Sequence, residues 1–178
     1  MPASARFKEL AGLATPELEK ILRGSKGPAP DSLAGWEWRG YNTPRYCSLI
    51  GIRQFIKGFF KKDDRVEGYN IPPRQTGLDG EWIQKPSPEA PKRFGFFVVG
   101  PVRENSIDNL YPSALFFDYS TSPRNASWAV ERVLRDYLVQ PDPANPDLMI
   151  GKAYLALGRR VPVSIFVIER LRRTDWKP

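Results

Sequence analysis

The chain has 178 residues, a formal net charge of +7 and no histidine. This length suits one hydrophobic core rather than two, and apolar and charged contents of 41% and 26% are typical of a folded domain. The lack of histidine excludes Ser-His-Asp and Cys-His catalysis, histidine-ligated haem and ordinary zinc hydrolysis. Any general acid or base must therefore be Asp, Glu, Lys, Tyr or Cys.

Nothing in the sequence predicts export or membrane insertion. Charged residues begin at Arg6, so no apolar signal segment is present, and the longest apolar run, 161–168, is interrupted by a proline and a serine. A membrane span needs roughly 18–20 apolar residues. The lone Cys47 excludes an internal disulfide and a cysteine zinc site, and we interpret it as a small buried thiol. We therefore expect a cytoplasmic protein without metal or cofactor, and the oligomeric state stays open.

Two short amphipathic helices are predicted at the N terminus. The first has its apolar positions between Phe7 and Ala11. Thr15-Pro16-Glu17 predicts the start of the second, with a threonine cap, a proline at the first helical position and an acid in the first turn. Its apolar stripe consists of Leu18, Ile21 and Leu22. Because helices this short are unstable alone, we expect residues 1–34 to form an arm and linker packed on a main domain at 35–178.

The main domain begins with a predicted strand and then changes its pattern. Residues 35–42 alternate aromatic and polar side chains, which is typical of a strand. From 47 to 62 the apolar residues follow a helical period, although 55–60 fits a strand equally well. We interpret this segment as a helix followed by a strand.

One face of a helix over 47–62 would be basic. Its cations recur at helical spacing and run into the loop that follows: Arg53, Lys57, Lys61 and Lys62. Asp63 and Asp64 come directly after them and dilute the charge, so we interpret these residues as a solvated face. No Walker loop, dinucleotide fingerprint or helix-turn-helix pattern is present, and nucleic acid is not the partner that we expect first.

A strong β pattern occupies the second half of the chain. The predicted strands are 94–102, 114–119, 135–140, 148–157 and 161–172, with a tight turn at 158–160, a helical turn at 128–134 and shorter strands at 66–71 and 81–84. Eight or so consecutive strands joined by turns predict a mainly β fold with one antiparallel sheet, either closed into a barrel or strongly curled. An eight-stranded barrel is just wide enough to hold one small ligand.

Segments 35–40 (Gly-Trp-Glu-Trp-Arg-Gly) and 55–60 (Phe-Ile-Lys-Gly-Phe-Phe) resemble the opening of bacterial lipocalin-like families with a Gly/Trp/Gly signature. Segments 134–140 and 148–155 are similar to the penultimate strand pair of those families, in which a Gly-Lys-x-Tyr sequence recurs. The resemblance covers residues 33–172 and implies a calycin-type barrel that binds a small apolar molecule. Haem-binding relatives use a histidine ligand that this chain lacks, so haem binding is not expected.

The candidate ligand-binding residues are aromatic and cationic side chains of three predicted strands. They are Trp38, Arg39, Tyr41, Arg135, Tyr137, Lys152 and Tyr154. The tryptophans either line the cavity or plug the closed end of the barrel, with Arg39 stacked on them. Lys152 either points into a pocket with Tyr154 or reaches solvent, and Asp136 lies on the opposite face from Arg135.

Asp118 and Glu169 are the candidate catalytic residues if the protein is an enzyme. Asp118 follows a run of apolar residues, so it either ends its strand or lies in the cavity, where desolvation would raise its pKa. Glu169 precedes Arg170 near the end of the last strand, and the alternative to a catalytic role is a surface ion pair.

Three functions are compatible with these patterns. The first is binding of a small hydrophobic or amphipathic, anionic molecule in the barrel, with arginine or lysine at its charged end. The second is a cofactor-free isomerase, cyclase or hydrolyase that uses carboxylate and tyrosine groups. The third is charge-driven binding to nucleic acid or an anionic surface. A buried carboxylate facing the cavity would favour the enzyme, and an apolar cavity without one would favour the carrier.

Overall fold

Eight antiparallel strands follow one another around a closed barrel in the computed structural model, which describes residues 2–178. The strands are β1 (Trp36–Asn42), β2 (Gln54–Lys62), β3 (Arg65–Ile71), β4 (Phe94–Pro101), β5 (Leu115–Asp118), β6 (Leu134–Val139), β7 (Leu148–Leu157) and β8 (Arg159–Arg173). Each strand pairs with the next along the chain, and β8 pairs with β1 to close the barrel. The predicted mainly β, antiparallel fold with a closed barrel is confirmed.

Three helices accompany the barrel. They are α1 (Ala5–Gly12), α2 (Thr15–Gly24) and α3 (Tyr46–Leu49), with 3₁₀ turns at Pro30–Ser32 and Val130–Val133. Helix α2 begins one residue earlier than predicted, because Ala14 rather than Thr15 occupies the cap position. The side chain of Glu17 accepts a hydrogen bond from the Ala14 backbone N–H at 3.0 Å, which satisfies the N–H of the cap residue.

Of two segments in which the sequence predicts a strand, one contains it and the other does not. The helix followed by a strand expected within 47–62 is present as α3 and β2. The strand expected at 81–84 is absent: within this segment only Gln84 forms a bridge, opposite Pro73. Proline lacks the N–H that a ladder needs, and the proline-rich stretch from 72 to 91 is a loop. It packs on the outer face of β1, where Trp82 Nε1 donates a hydrogen bond to the Gly40 carbonyl.

Alternate side chains of each strand point into and out of the barrel. The interior core is apolar and largely aromatic: Trp38, Phe59, Val66, Phe97, Val99, Leu115, Phe117, Leu138, Met149, Phe166 and Ile168. At the end where β1 begins, the guanidinium carbon of Arg170 lies 4.7 Å from the ring centroid of Trp36 and 5.3 Å from that of Trp38. Arg170 therefore provides the stacking cation that was expected from Arg39, whose side chain lies on the outer face beside Trp82.

The N-terminal arm packs on the outer face of the barrel. Leu18 and Leu22 of α2 are buried in the same cluster as Val139 and Ile150, and Ile21 packs against its edge. Phe7 of α1 belongs to this cluster too and meets the ring of Trp82 edge-on, with centroids 5.9 Å apart. Burial of these apolar side chains gives the two short helices the stability that they lack in isolation.

Glycine at two interior positions leaves room for neighbouring aromatic rings. A Cβ on Gly40 would lie 2.2 Å from the ring of Phe55, and one on Gly151 would lie 2.2 Å from the ring of Phe166. These two phenylalanines meet edge-on inside the barrel, with centroids 5.5 Å apart. Larger side chains at either glycine would displace them.

Replacement of a buried arm residue should weaken the whole fold. Leu18 is completely buried, so Leu18→Ala should lower the free energy of unfolding by about 2–5 kcal/mol, the usual range for such a cavity. Urea denaturation measures this loss. Leu49→Ala is the control, because Leu49 is 88% exposed and should lose less than about 0.5 kcal/mol. Equal stability of Leu18→Ala and the wild type would show that the arm does not support the barrel.

Candidate functional site

The barrel interior contains a cavity of about 200 Å³ at the end opposite Trp36 and Trp38. It opens where β1 ends and β6 begins, and apolar side chains form most of its surface. These are Ile52, Phe55, Ile71, Pro72, Phe94, Leu134, Ala153, Val163 and Phe166. The polar side chains that reach it from the interior of the barrel are Asn42, Lys57, Asn70, Tyr119, Asp136 and Ser164.

Lys57 lies inside the barrel because of the strand pattern of β2. Phe55, Lys57 and Phe59 occupy the inward positions of this strand. The outward Ile56 and Phe60 are apolar as well, so both faces are buried. The lysine is 3% exposed. Its ammonium lies 4.9 Å from the ring centroid of Phe97 and 5.7 Å from that of Phe166, distances at which aromatic faces attract a cation.

Three polar partners surround the Lys57 ammonium. Nζ forms an ion pair with Asp136 Oδ2 at 2.9 Å and donates hydrogen bonds to Asn70 Oδ1 at 2.9 Å and to the Tyr119 hydroxyl at 2.7 Å. The Tyr119 hydroxyl donates in turn to Asp136 Oδ2 at 2.8 Å. All three donors of the ammonium are therefore used. We call Lys57, Asn70, Tyr119 and Asp136 the Lys57 network.

Burial shifts the proton affinities within the Lys57 network. Desolvation lowers the pKa of Lys57 from its ordinary 10.5, and the charge and hydrogen bond of Asp136 oppose this shift. Desolvation, together with the negative charge of Asp136, raises the pKa of Tyr119 well above 10. The raised pKa means that the Tyr119 hydroxyl keeps its proton and donates a hydrogen bond to Asp136. The lowered pKa means that the Lys57 ammonium loses its proton more easily than a lysine in water.

The mouth of the cavity has an apolar rim. Leu49 and Ile50 lie in the connection between β1 and β2 and are 88% and 63% exposed. Trp128 and Val130 lie in the connection between β5 and β6 and are 87% and 75% exposed. Both connections are at the barrel end where the cavity opens, and Ile52 belongs to both the rim and the cavity wall. Apolar molecules would meet this rim before they enter the barrel.

Of the predicted ligand-binding residues, Trp38 lies inside the barrel, in the core below the cavity. Arg39 and Glu169 face outwards and form an ion pair at 3.3 Å. They line a separate hollow of about 440 Å³ on the outer surface, beside Ser4, whose backbone N–H donates to Glu169 Oε2 at 3.2 Å. The structure thus brings Arg39 and Glu169 together, away from the cavity.

Four other predicted residues lie on the outer faces of β6 and β7. Lys152 Nζ donates to Glu19 Oε2 of helix α2 at 2.7 Å. The Tyr154 hydroxyl lies 3.0 Å from that of Tyr111, and the Tyr137 hydroxyl donates to the Asp108 carbonyl at 2.7 Å. Arg135 Nη1 lies 3.5 Å from Asp118 Oδ1. These side chains hold the arm and the long β4–β5 loop against the barrel, and their role in binding a ligand stays a prediction.

Asp118 and Tyr41 also lie away from the cavity. Asp118 is the last residue of β5, so it ends its strand and does not lie in the cavity. Its carboxylate accepts hydrogen bonds from the Ser120 backbone N–H and hydroxyl at 2.9 and 2.6 Å. Tyr41 points outwards beneath the guanidinium of Arg53, whose carbon lies 4.7 Å from the ring centroid.

The interpretation of Lys57 as part of a solvated basic face is wrong. It assumed a helix, in which residues 53, 57 and 61 share one side, whereas β2 is a strand in which Lys57 lies between two inward phenylalanines. With a period of two, residues 55–60 place Phe55 and Phe59 on one face and Ile56 and Phe60 on the other. Two apolar faces indicate that Lys57 is buried. No comparable signal identifies Tyr119 or Asn70, because each is a single polar residue at an otherwise ordinary position.

No protein-family model matches this chain, and no curated protein is significantly similar to it. The closed eight-stranded antiparallel barrel is consistent with a lipocalin-like fold, but no relative supports membership of a particular family. Within residues 2–178, no three His, Cys, Asp or Glu side chains are grouped as metal ligands. The same residues contain no helix long and apolar enough to cross a membrane.

Removal of one partner of the buried Lys57–Asp136 ion pair should lower the free energy of unfolding. Lys57→Met removes the cation and leaves the Asp136 carboxylate buried, so we expect a loss of about 3–5 kcal/mol in the free energy of unfolding. Addition of Asp136→Asn removes the remaining charge and should restore most of that loss. Urea denaturation of both variants measures the difference.

A matched control exists on the same strand. Lys61 pairs with Asp31 at 3.0 Å, and both side chains are more than half exposed. Lys61→Met should therefore cost less than about 1 kcal/mol. If Lys57→Met and Lys61→Met were equally stable, the buried ion pair would have no energetic importance.

Proposed function

We propose that this protein binds a small, mainly apolar molecule with one polar group in the barrel cavity. The observation that carries the proposal is the Lys57 network at one side of a cavity whose walls are mainly apolar. Ligand sites commonly combine apolar walls with a few converging polar groups that fix the orientation of the ligand. A closed barrel with an internal cavity fits such a role.

The cavity volume limits the size of the ligand. Common pockets for drug-sized ligands have volumes of about 300–1,000 Å³, and this cavity has about 200 Å³. Because an apolar cavity of about 150 Å³ holds benzene, we expect a ligand of about six to ten non-hydrogen atoms. A longer apolar chain would extend through the mouth to the rim formed by Leu49, Ile50 and Trp128.

The charge of the network favours a neutral polar group on the ligand. Lys57 already pairs with Asp136, so a ligand carboxylate would meet both a cation and a competing anion. A ligand hydroxyl can instead donate to Asp136, and a carbonyl can replace Asn70 or Tyr119 as an acceptor for the Lys57 ammonium, without adding charge. The cations proposed from the sequence to meet an anionic ligand point outwards, and their partners there include Glu169 for Arg39 and Glu19 for Lys152.

A second candidate function is proton-transfer catalysis without a cofactor. A buried carboxylate facing the cavity was the feature expected of an enzyme, and Asp136 is such a group. We propose Asp136 as proton acceptor and Tyr119 as proton donor, because their oxygens lie 2.8 Å apart beside the cavity. Asp136 and Tyr119 would then replace Asp118 and Glu169 as the catalytic acid and base. The reaction class that we propose for them is isomerisation next to a carbonyl.

Binding of a homologous ligand series tests the first proposal. We expect linear ketones to bind more tightly with length until the cavity is full, and the ketone to bind about 10-fold tighter than the carboxylate of equal length, a difference of ~1.4 kcal/mol. Isothermal titration calorimetry measures both series. Tighter binding of every carboxylate would contradict the neutral ligand.

Adjacent residues of β7 provide a matched pair of variants. Ala153 lines the cavity, so Ala153→Leu should fill part of it and weaken ketone binding by about 10-fold or more. Lys152 faces outwards, so Lys152→Met should leave the affinity unchanged. The opposite result, with loss of binding in Lys152→Met alone, would place the ligand outside the barrel.

A further inference from the structure

The Lys57 side chain has the surroundings that carbonyl chemistry requires of an amine. A lysine attacks a carbonyl only as the neutral amine, and an apolar site favours that form. The reaction also needs a nearby base for the ammonium proton and an acid for the departing oxygen. Asp136 and Tyr119 lie 2.9 and 2.7 Å from Nζ and are suited to these two roles.

We propose that Lys57 forms an imine with a small aldehyde or ketone bound in the barrel cavity. The inference rests on the proposed binding function, since the carbonyl compound must first occupy the cavity. It identifies the ligand class as aldehydes and ketones and the reacting atom as Lys57 Nζ. Neutral carbonyl compounds also match the charge of the Lys57 network.

The first part of the reaction forms the carbon–nitrogen bond. The Lys57 ammonium gives one proton to Asp136, and the neutral amine attacks the carbonyl carbon while the carbonyl electron pair moves to oxygen. Tyr119 donates a proton to this oxygen and regains one from the attacking nitrogen. The product is a neutral carbinolamine, with Asp136 protonated.

The second part releases water. Asp136 returns its proton to the carbinolamine hydroxyl, the carbon–oxygen bond breaks, and the nitrogen lone pair forms the double bond of a protonated imine. One water molecule leaves, no oxidant or reductant is needed, and the net positive charge stays on nitrogen beside the Asp136 carboxylate. The ion pair that stabilises Lys57 in the free protein is thus kept in the product.

Other features of the site support this reaction. Asn70 Oδ1 accepts a hydrogen bond from Nζ at 2.9 Å, and Asn70 Nδ2 donates to the Gly95 carbonyl at 2.9 Å, which fixes the amide. The rings of Phe55 and Phe166 line the cavity and limit access of water to the nitrogen. Desolvation also lowers the pKa of Lys57, which makes the neutral amine more accessible.

Reductive trapping tests the proposal. Propanal at low concentration is incubated with the intact protein at neutral pH, the imine is reduced with cyanoborohydride, and the labelled position is identified by peptide mass spectrometry. We expect one propyl group on Lys57, attached at least about 10-fold faster than on any other lysine. Lys61 and Lys152 in the same chain serve as internal references for an exposed and an outer-face lysine.

Variants separate catalysis of the labelling from simple burial. Lys57→Arg should lose the fast label and keep a positive charge beside Asp136. Tyr119→Phe and Asp136→Asn should slow labelling at Lys57 by about 10²-fold, the lower range for loss of an acid or base. Ala153→Leu should slow it by reducing the cavity while the network stays intact. Thermal unfolding of each variant confirms that it is folded before its labelling rate is compared.

Two results would overturn the inference, and they differ in what they imply for the function. If ketones bind in the calorimetric series but Lys57 is labelled no faster than Lys61, the imine is wrong and the binding function stands. If neither binding nor fast labelling occurs, both fail. Unchanged fast labelling in Lys57→Arg would likewise assign the reaction to another lysine and overturn the proposal.

Discussion

The buried ammonium of Lys57 requires polar partners inside the closed barrel, and this requirement constrains how the strands pair. A buried cation is stable only with partners, and these come from different parts of the sheet: Asn70 from β3, Tyr119 after β5 and Asp136 from β6. Lys57 pairs directly with Asn70 across two strands. A one-residue slip in either strand would turn a partner outwards, so strand register and the polarity of the cavity are a single constraint.

The two ends of the barrel differ in structure: one is closed and the other is open. At one end Trp36, Trp38 and Arg170 close the interior, and at the other end the cavity opens towards an exposed apolar rim. The outer face carries the N-terminal arm, and several arginine and lysine side chains attach elements to it. Lys152, for example, binds Glu19 of α2. Part of the positive charge of the chain therefore lies in ion pairs that hold the structure together. For this reason the net charge does not indicate the charge of the ligand.

The fold was more predictable than the site. Period-two alternation identified β4 to β8, and the short turn at 158 identified the hairpin of β7 and β8, because both signals are local. The sequence did not predict the burial of Lys57, because positions 53, 57 and 61 also fit one face of a helix. The alternation of β6 places Asp136 on the face opposite Arg135, but it does not say which of these two faces is inside. Which face of β6 is inside depends on barrel closure, a long-range pairing that no local pattern contains.

Lysine NMR tests most directly whether the cavity beside Lys57 is the binding site. With ¹³C at the ε carbons, Lys57 should give a signal displaced from those of exposed lysines such as Lys61, because its amine is desolvated and surrounded by aromatic rings. Titration with a small neutral ketone should move this signal while that of Lys61 stays fixed. Binding of the ketone with an unmoved Lys57 signal would contradict the account and place the site elsewhere on the molecule.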